Sequence, residues 1–348
     1  MPSALINRRT FASAALLAAT VPAIPVLHAQ SRPERPRVHI GVAHRAALSV
    51  LPLAIAEQLG YFRAAGVDVD VHEFGSAGRT LQEGLSGAVD VVSGSFEQAV
   101  LAHARGHAAQ AFVLQARAPQ VAFGISTRLL PAYSSVADLR GRRIGVSSPG
   151  SSTTMVANQV LARGGLGPSD FSLVTVGSAW DALLALRMGH VDALSNTDPV
   201  MTQLEQRSEV RIIGDTRTLK GTREVFGGPM PASCLFASQD FITRHPATCQ
   251  ALAHGIVHAL KWLQTAGPSD IIRTVPEPYL LGDRALYLAA FMRSREAISP
   301  DGLIPEEGVL TAIRAVASAD PSIRGEGIVP ARTFTNEFAR RSKDRFKA

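Results

Sequence analysis

Cysteine is scarce in this chain: Cys234 and Cys249 are the only two in 348 residues. No cysteine-rich catalytic motif can be built from them. They could pair in an oxidising compartment, but Cys249 falls in a helical pattern and Cys234 in an apolar, strand-like run, so two buried free thiols suit the pattern at least as well. An excess of one charge is also lacking. Beyond residue 29 the chain carries 33 basic and 29 acidic side chains, net +4, and they are interspersed rather than blocked. That excludes the basic stripe of a nucleic-acid binder. There is no Gly-Lys-Ser/Thr ending of a nucleotide loop, no His-Glu-x-x-His and no Gly-x-Ser-x-Gly elbow. The pairs His103/His107 and His254/His258 have i, i+4 spacing but no neighbouring acid, so neither is expected to hold a metal. No cofactor is expected. A membrane-spanning run is missing too: the Ala/Leu-rich stretch Ala12–Ala23 is short and interrupted by Pro22 and Pro25, whereas a span needs ~20 continuous apolar residues.

What that stretch does offer is an address. Arg8-Arg9-Thr10-Phe11, the apolar run and Leu27-His28-Ala29 together read as a twin-arginine export signal over residues 1–29, with no cysteine for a lipid anchor. The remaining chain is expected to be an exported, soluble, periplasmic protein.

The most informative feature of the remainder is a repeat. Gly75-Ser76-Ala77, nine residues, then Gly87-Ala88-Val89-Asp90 returns as Gly177-Ser178-Ala179, nine residues, then Gly189-His190-Val191-Asp192, 102 positions on. Upstream, Ile40-Gly41-Val42 returns as Ile144-Gly145-Val146. Between the copies run apolar strand-like segments (37–43, 67–71, 89–93, 111–115; then 143–146, 173–176, 191–195, 211–213) alternating with helical ones. This succession predicts parallel, helix-covered sheets. Two copies predict two similar α/β lobes, with a cleft between them. Residues 227–238 look extended, and helices follow over 245–266, 283–298 and 305–319. The expected division is 30–125 for the first part of lobe 1, 126–217 for lobe 2, and 218–348 for a return to lobe 1.

Several of these segments resemble a known family. Pro52-Leu53-Ala54-Ile55-Ala56 with Gly60-Tyr61-Phe62 and Gly66-Val67 is similar to the opening of type II periplasmic substrate-binding proteins of the nitrate/sulfonate/taurine class. So are Leu85-Ser86-Gly87-Ala88-Val89-Asp90, the run from Asp138 to Val146, and Gly189 to Ala193. The resemblance covers about residues 38–215 and implies a two-lobe clamp that delivers a small solute to an ABC permease in the inner membrane. The same superfamily is similar to a thiamine-pyrimidine synthase, whose cysteine-rich motif has no counterpart here. An enzyme of this fold is therefore the alternative reading, and a monomeric binding protein the favoured one.

Ligand contacts are expected where strands end and helices begin, because helix N-termini present unpaired N–H groups there. Ser76 and Ser178 stand at such points in the two repeats, where each can also cap its own helix. Gly150-Ser151-Ser152-Thr153 is the leading anion candidate, with a glycine for close backbone approach and hydroxyls behind it. Ser95, Phe96 and Glu97 follow a strand in the same way. Trp180 is a candidate wall for a flat ligand, Asn196 and Asp198 end another strand, and His44, Arg45 and Arg117 are candidates for an anion or a hydrogen-bond acceptor. The favoured ligand is a small organic anion: a sulfonate, nitrate-like ion or aromatic carboxylate.

Overall fold

A computed structural model describes residues 32–177, 180–320 and 322–348. The expected export signal and Ser178 lie outside them. Among the described residues ten strands form two five-stranded sheets. The first contains β1 (Arg37–Val42), β2 (Asp68–Glu73), β3 (Val91–Ser95), β4 (Ala109–Leu114) and β10 (Ser233–Ser238), in the order β2-β1-β3-β10-β4. The second contains β5 (Val121–Ser126), β6 (Arg143–Val146), β7 (Ser172–Thr175), β8 (Ala193–Thr197) and β9 (Val210–Asp215), in the order β7-β6-β8-β5-β9. In each sheet one strand, β10 or β5, runs antiparallel to its neighbours.

The repeat is the frame of this architecture. Asp90 Oδ2 accepts from the backbone N of His39 at 2.9 Å, and Asp192 Oδ2 accepts from that of Arg143 at 2.9 Å. His39 and Arg143 stand just before Ile40 and Ile144, so each repeated aspartate pins the first parallel strand of its own repeat, β1 or β6. Gly41 and Gly145 lie opposite side chains at close range: a Cβ there would meet Val89 at 3.1 Å and Leu194 at 2.9 Å. Gly87 and Gly189 both turn the chain after a helix with φ of 81° and 75°, which a side chain would strain.

Alternation decides which face is buried. Val38, Ile40 and Val42 of β1 are fully buried and pack in one cluster with Leu252, Ile256 and Leu260 of the helix Pro246–Thr265. Burying each such side chain contributes roughly 1.5–3 kcal/mol. The second lobe is smaller, with separate apolar clusters around Ile144 and around Leu194.

The lobe boundaries differ from those expected. β5 belongs to the second sheet, and the helix Leu219–Phe226 stays there too, its Thr222 Oγ1 bonded to the Thr216 carbonyl at 3.3 Å. The crossings therefore lie at 115–120 and 227–232. The reason is that β5 is inserted antiparallel between β8 and β9, outside the repeated parallel plan. At the first crossing the Ala297 carbonyl accepts from Arg117 N at 2.7 Å, and Gln115 O from Ser299 N at 2.9 Å. At the start of the helix before the second crossing, Leu219 N donates to Glu296 at 2.9 Å.

Among the described residues no helix is long and apolar enough to cross a membrane. Cys234 and Cys249 are buried free thiols. His254 bonds Ser342 at 2.9 Å, and His258 stacks on Tyr61 at 3.7 Å between ring centroids. Both histidines therefore serve packing rather than form a pair.

Candidate functional site

A cavity of about 120 Å³ lies between the lobes. Lobe 1 lines it with the loop after β1 (Ala43, His44, Ala47, Ser49) and with the end of β3 (Ser93, Gly94, Ser95). Ala77, Gln98 and Ser233 complete that side, and Pro119 of the first crossing closes one edge. Lobe 2 lines it with Ser151, Ser152 and Thr153 and with Thr197 at the end of β8. Three helices begin at this cavity: Ala77–Ser86, Phe96–Ala104 and Ser152–Arg163. Their N-terminal N–H groups and dipoles make it hospitable to negative charge.

Gln98 ties two of these N-termini together, accepting from Ser95 N at 3.1 Å and donating to the Ala77 carbonyl at 2.7 Å. On the other side, Ser151 caps its helix, accepting from Thr154 N at 3.4 Å. Thr153 Oγ1 turns inward to accept from Ser147 N at 2.9 Å. Ser152 reaches across the lobes and donates to Glu97, which is almost fully buried. Burial pushes the Glu97 carboxyl above its ordinary value, partly offset by the Ser152 hydrogen bond. The shift favours the neutral form, which repels a nearby anion less than the carboxylate does.

Of the residues singled out from sequence, His44, Ser95, Ser151, Ser152 and Thr153 line the cavity. Glu97 lies behind it. Gly150 has φ +70 and lines a neighbouring interlobe hollow with Glu97 and Ser151. Ser76 caps its helix through Arg79 N at 3.3 Å, and the cavity receives Ala77 instead. Phe96 is wholly buried in the lobe 1 core. Arg45 turns away to form a two-pronged pair with Glu57 at 2.8 and 2.9 Å. Arg117 donates to the Glu296 carbonyl at 3.0 Å.

In lobe 2, Asn196 bonds the Gly177 carbonyl at 2.9 Å and thereby fixes the turn before the second repeat's helix. Asp198 is buried against Arg217 and accepts from Thr202 N at 2.8 Å. Trp180 is 53% exposed and does not line the cavity.

Sequence reasoning missed Ser49, Ser93, Gln98, Thr197 and Ser233. Ser49 reads as a helix cap, but the helix Leu51–Gln58 starts later and has no side-chain cap. Ser93 had a signal, the Ser-Gly-Ser at a strand end. Ser233 had none, because only the return of β10 beside β3 brings it here.

The lining is rich in hydroxyls and helix N–H groups, and His44 is its one titratable member. It offers hydrogen bonds to a compact polar solute. No thiol faces it: burial pushes Cys249 up to about 12 and Cys234 well up as well. The cavity is not the largest hollow. Hollows of about 410 Å³ in lobe 2 near Arg163 and Ile212 and of about 270 Å³ in lobe 1 near Gly84, His107 and Asp240 each draw on one lobe alone, and the neighbouring hollow lined by Gly150 and Glu97 measures about 220 Å³.

Comparison with known proteins agrees with this architecture. A solved structure of a protein from Bordetella bronchiseptica RB50 is 47% identical, with a TM-score of 0.87, covering 91% of this chain and 100% of its own. The alkanesulfonate-binding protein SsuA from Xanthomonas axonopodis pv. citri, bound to MOPS, is 19% identical with a TM-score of 0.66, covering 88% and 100%. The periplasmic nitrate-binding protein NrtA from Synechocystis PCC 6803 is 13% identical with a TM-score of 0.71, covering 91% and 90%. The last two show that the fold is that of periplasmic binding proteins. None of the curated proteins compared with the chain matches it. Residues 31–275 match the NMT1-like family, and the chain belongs to that family.

Proposed function

We propose that this protein is the solute-binding component of an ABC import system and captures a small organic anion between its lobes. The observation that carries the reading is the convergence of three helix N-termini, from both lobes, on one cavity of about 120 Å³. That volume is well below the ~300–1,000 Å³ of sites for drug-sized ligands. It favours a solute of few heavy atoms, such as a short sulfonate or a nitrate-like ion. The negative charge is met by N–H groups and hydroxyls rather than by an arginine. The sulfonate- and nitrate-binding proteins of the same fold support the class of solute.

Ser152 is central to the mechanism. Its hydroxyl joins lobe 2 to Glu97 of lobe 1, so a ligand accepting from Ser152 competes with or completes an interlobe bond. Closure then follows because the ligand binds the closed form better than the open one. No bond of the solute is made or broken. The protein acts as a monomer in the periplasm, exported by its twin-arginine signal, and an inner-membrane permease receives the closed form.

A thermal-shift screen against sulfonates, nitrate, aromatic carboxylates and neutral pyrimidines tests this. An anion at ~100-fold over its dissociation constant should add about 2.7 kcal/mol to stability, and Ser152→Ala should weaken that anion. A shift confined to neutral pyrimidines would sink the anion reading. Turnover of a bound solute by the pure protein would sink the binding reading.

A further inference from the structure

Lobe 1 carries a second constellation, away from the cleft. Strand register places His39 of β1 opposite Asp70 of β2, and His72 two residues further along β2 on the same face. His39 Nδ1 and His72 Nε2 are 3.0 Å apart, and Asp70 Oδ2 lies 3.6 Å from the first and 3.5 Å from the second. Ligands bound tetrahedrally to Zn²⁺ at ~2.0–2.1 Å stand about 3.3 Å apart. The three atoms thus form a triangle close to one face of a zinc tetrahedron.

We propose that His39, Asp70 and His72 form a binding site for a borderline divalent cation of the Zn²⁺ class, with its fourth position open to water. Two imidazoles and one carboxylate suit zinc, nickel or copper rather than calcium or magnesium, which prefer all-oxygen shells. The ligands stand on paired strands, so their spacing is held by the sheet and not by a loop. All three side chains are about 40% exposed, and an ion can reach them.

The fold does not require this trio. The equivalent positions in lobe 2, fixed by the same register, are Arg143, Ser172 and Val174. One cation competes: Arg37 Nη2 is 3.4 Å from Asp70 Oδ2. Its side chain is 66% exposed and can turn outward when the carboxylate is engaged. The nearby Arg35 is already paired with Asp90 at 2.9 Å.

Titration of the untagged protein with Co²⁺, read by visible absorption, tests the site. The expected result is one equivalent of Co²⁺ per chain with the intense bands of a four- or five-coordinate site, displaced by Zn²⁺. His39→Asn/His72→Asn should remove those bands and weaken binding by at least about 100-fold, beyond what loss of an outer-shell partner does. His103→Asn/His107→Asn should leave them unchanged. The single variant His72→Gln provides the same reading if the double variant does not fold, folding being judged from its melting in EDTA. An unchanged titration in the His39/His72 variants, or no bands up to millimolar Co²⁺, would overturn the proposal.

Discussion

In lobe 1 the sheet face formed by Val38, Ile40 and Val42 is sealed by the helix Pro246–Thr265, and the shared cluster contains no charge. In lobe 2 the apolar clusters are smaller, and the turn between β9 and the helix Leu219–Phe226 is closed by Arg217, a buried guanidinium. Arg217 bonds Asp215 at 2.8 and 2.7 Å and Glu205 at 3.1 Å, and lies 3.5 Å from Asp198. Burial alone would lower its pKa, but the surrounding carboxylates outweigh that and hold it above its ordinary value. One strand order is thus stabilised by different means: non-directional burial in one lobe, and in the other a directional charge network that ties the end of β9 to the helix Val200–Gln206. Glu205 also reaches Arg293 at 2.6 Å, so the network extends toward the C-terminal helices.

The sharpest way to break this contrast is Arg217→Met. Leaving the buried Asp198 carboxylate without its cation should cost about 3–5 kcal/mol, measured by urea unfolding. In lobe 1, Ile256→Ala should cost about 2–5 kcal/mol by opening a cavity. If Arg217→Met costs under about 1 kcal/mol, the network is not what secures lobe 2.

A second pair of variants tests where the lobes are alike. Asp90→Ala and Asp192→Ala each remove the carboxylate that holds β1 or β6, and each should cost about 1–3 kcal/mol. Burial tends to raise Asp192, but the Arg143 hydrogen bonds and charge outweigh it and bring the carboxyl below its ordinary 3.8. Its contribution is therefore present above that value and lost as pH falls through the lowered one. Asp192→Asn should accordingly flatten the acid limb of the stability profile.

At the interlobe contact the sign is opposite. Glu97 is raised by burial from its ordinary 4.5, so its favourable neutral form is fully present below that value and is lost as pH rises through the higher folded one. Glu97→Gln keeps a partner for Ser152 and removes the ionisation. Its stability relative to the natural protein should grow as pH rises above 4.5, followed by denaturant midpoints across pH; parallel profiles would refute the assignment. The smallest effect is expected at Trp180→Ala, within about 0.5 kcal/mol because the side chain is exposed. A large loss of ligand affinity in that variant would restore Trp180 to the site.

The repeat made the two parallel β-α-β frames legible, because glycine turns and strand-pinning aspartates are local requirements written at fixed spacing. β5 was not legible as part of lobe 2. Val121–Ser126 carries strand chemistry, but it lies outside the repeated order and pairs antiparallel with β8 and β9, which follow it by some 70 residues or more. The Ser151–Thr153 turn was legible for the same local reason as the repeat. Arg45 was misread because its partner Glu57 lies twelve residues on, across a loop and a helix. Phe96 was misread because a residue at a helix start can face inward as readily as outward. Ser233 belongs to the cavity only through long-range antiparallel pairing, which no short motif announces.

That pairing also sets a timetable. Lobe 2 is one continuous stretch from β5 to the helix Leu219–Phe226 and has all its strands once residue 226 is made. Among the described residues β10 is the one strand of the sheet beside β4, and it begins at Ser233, whereas β4 ends at Leu114. At ~5–20 residues per second, β4 waits roughly 6–24 seconds on the ribosome for that neighbour. The first lobe to be synthesised is therefore the last to be finished, and through that interval its open strand edge is what chaperones must guard.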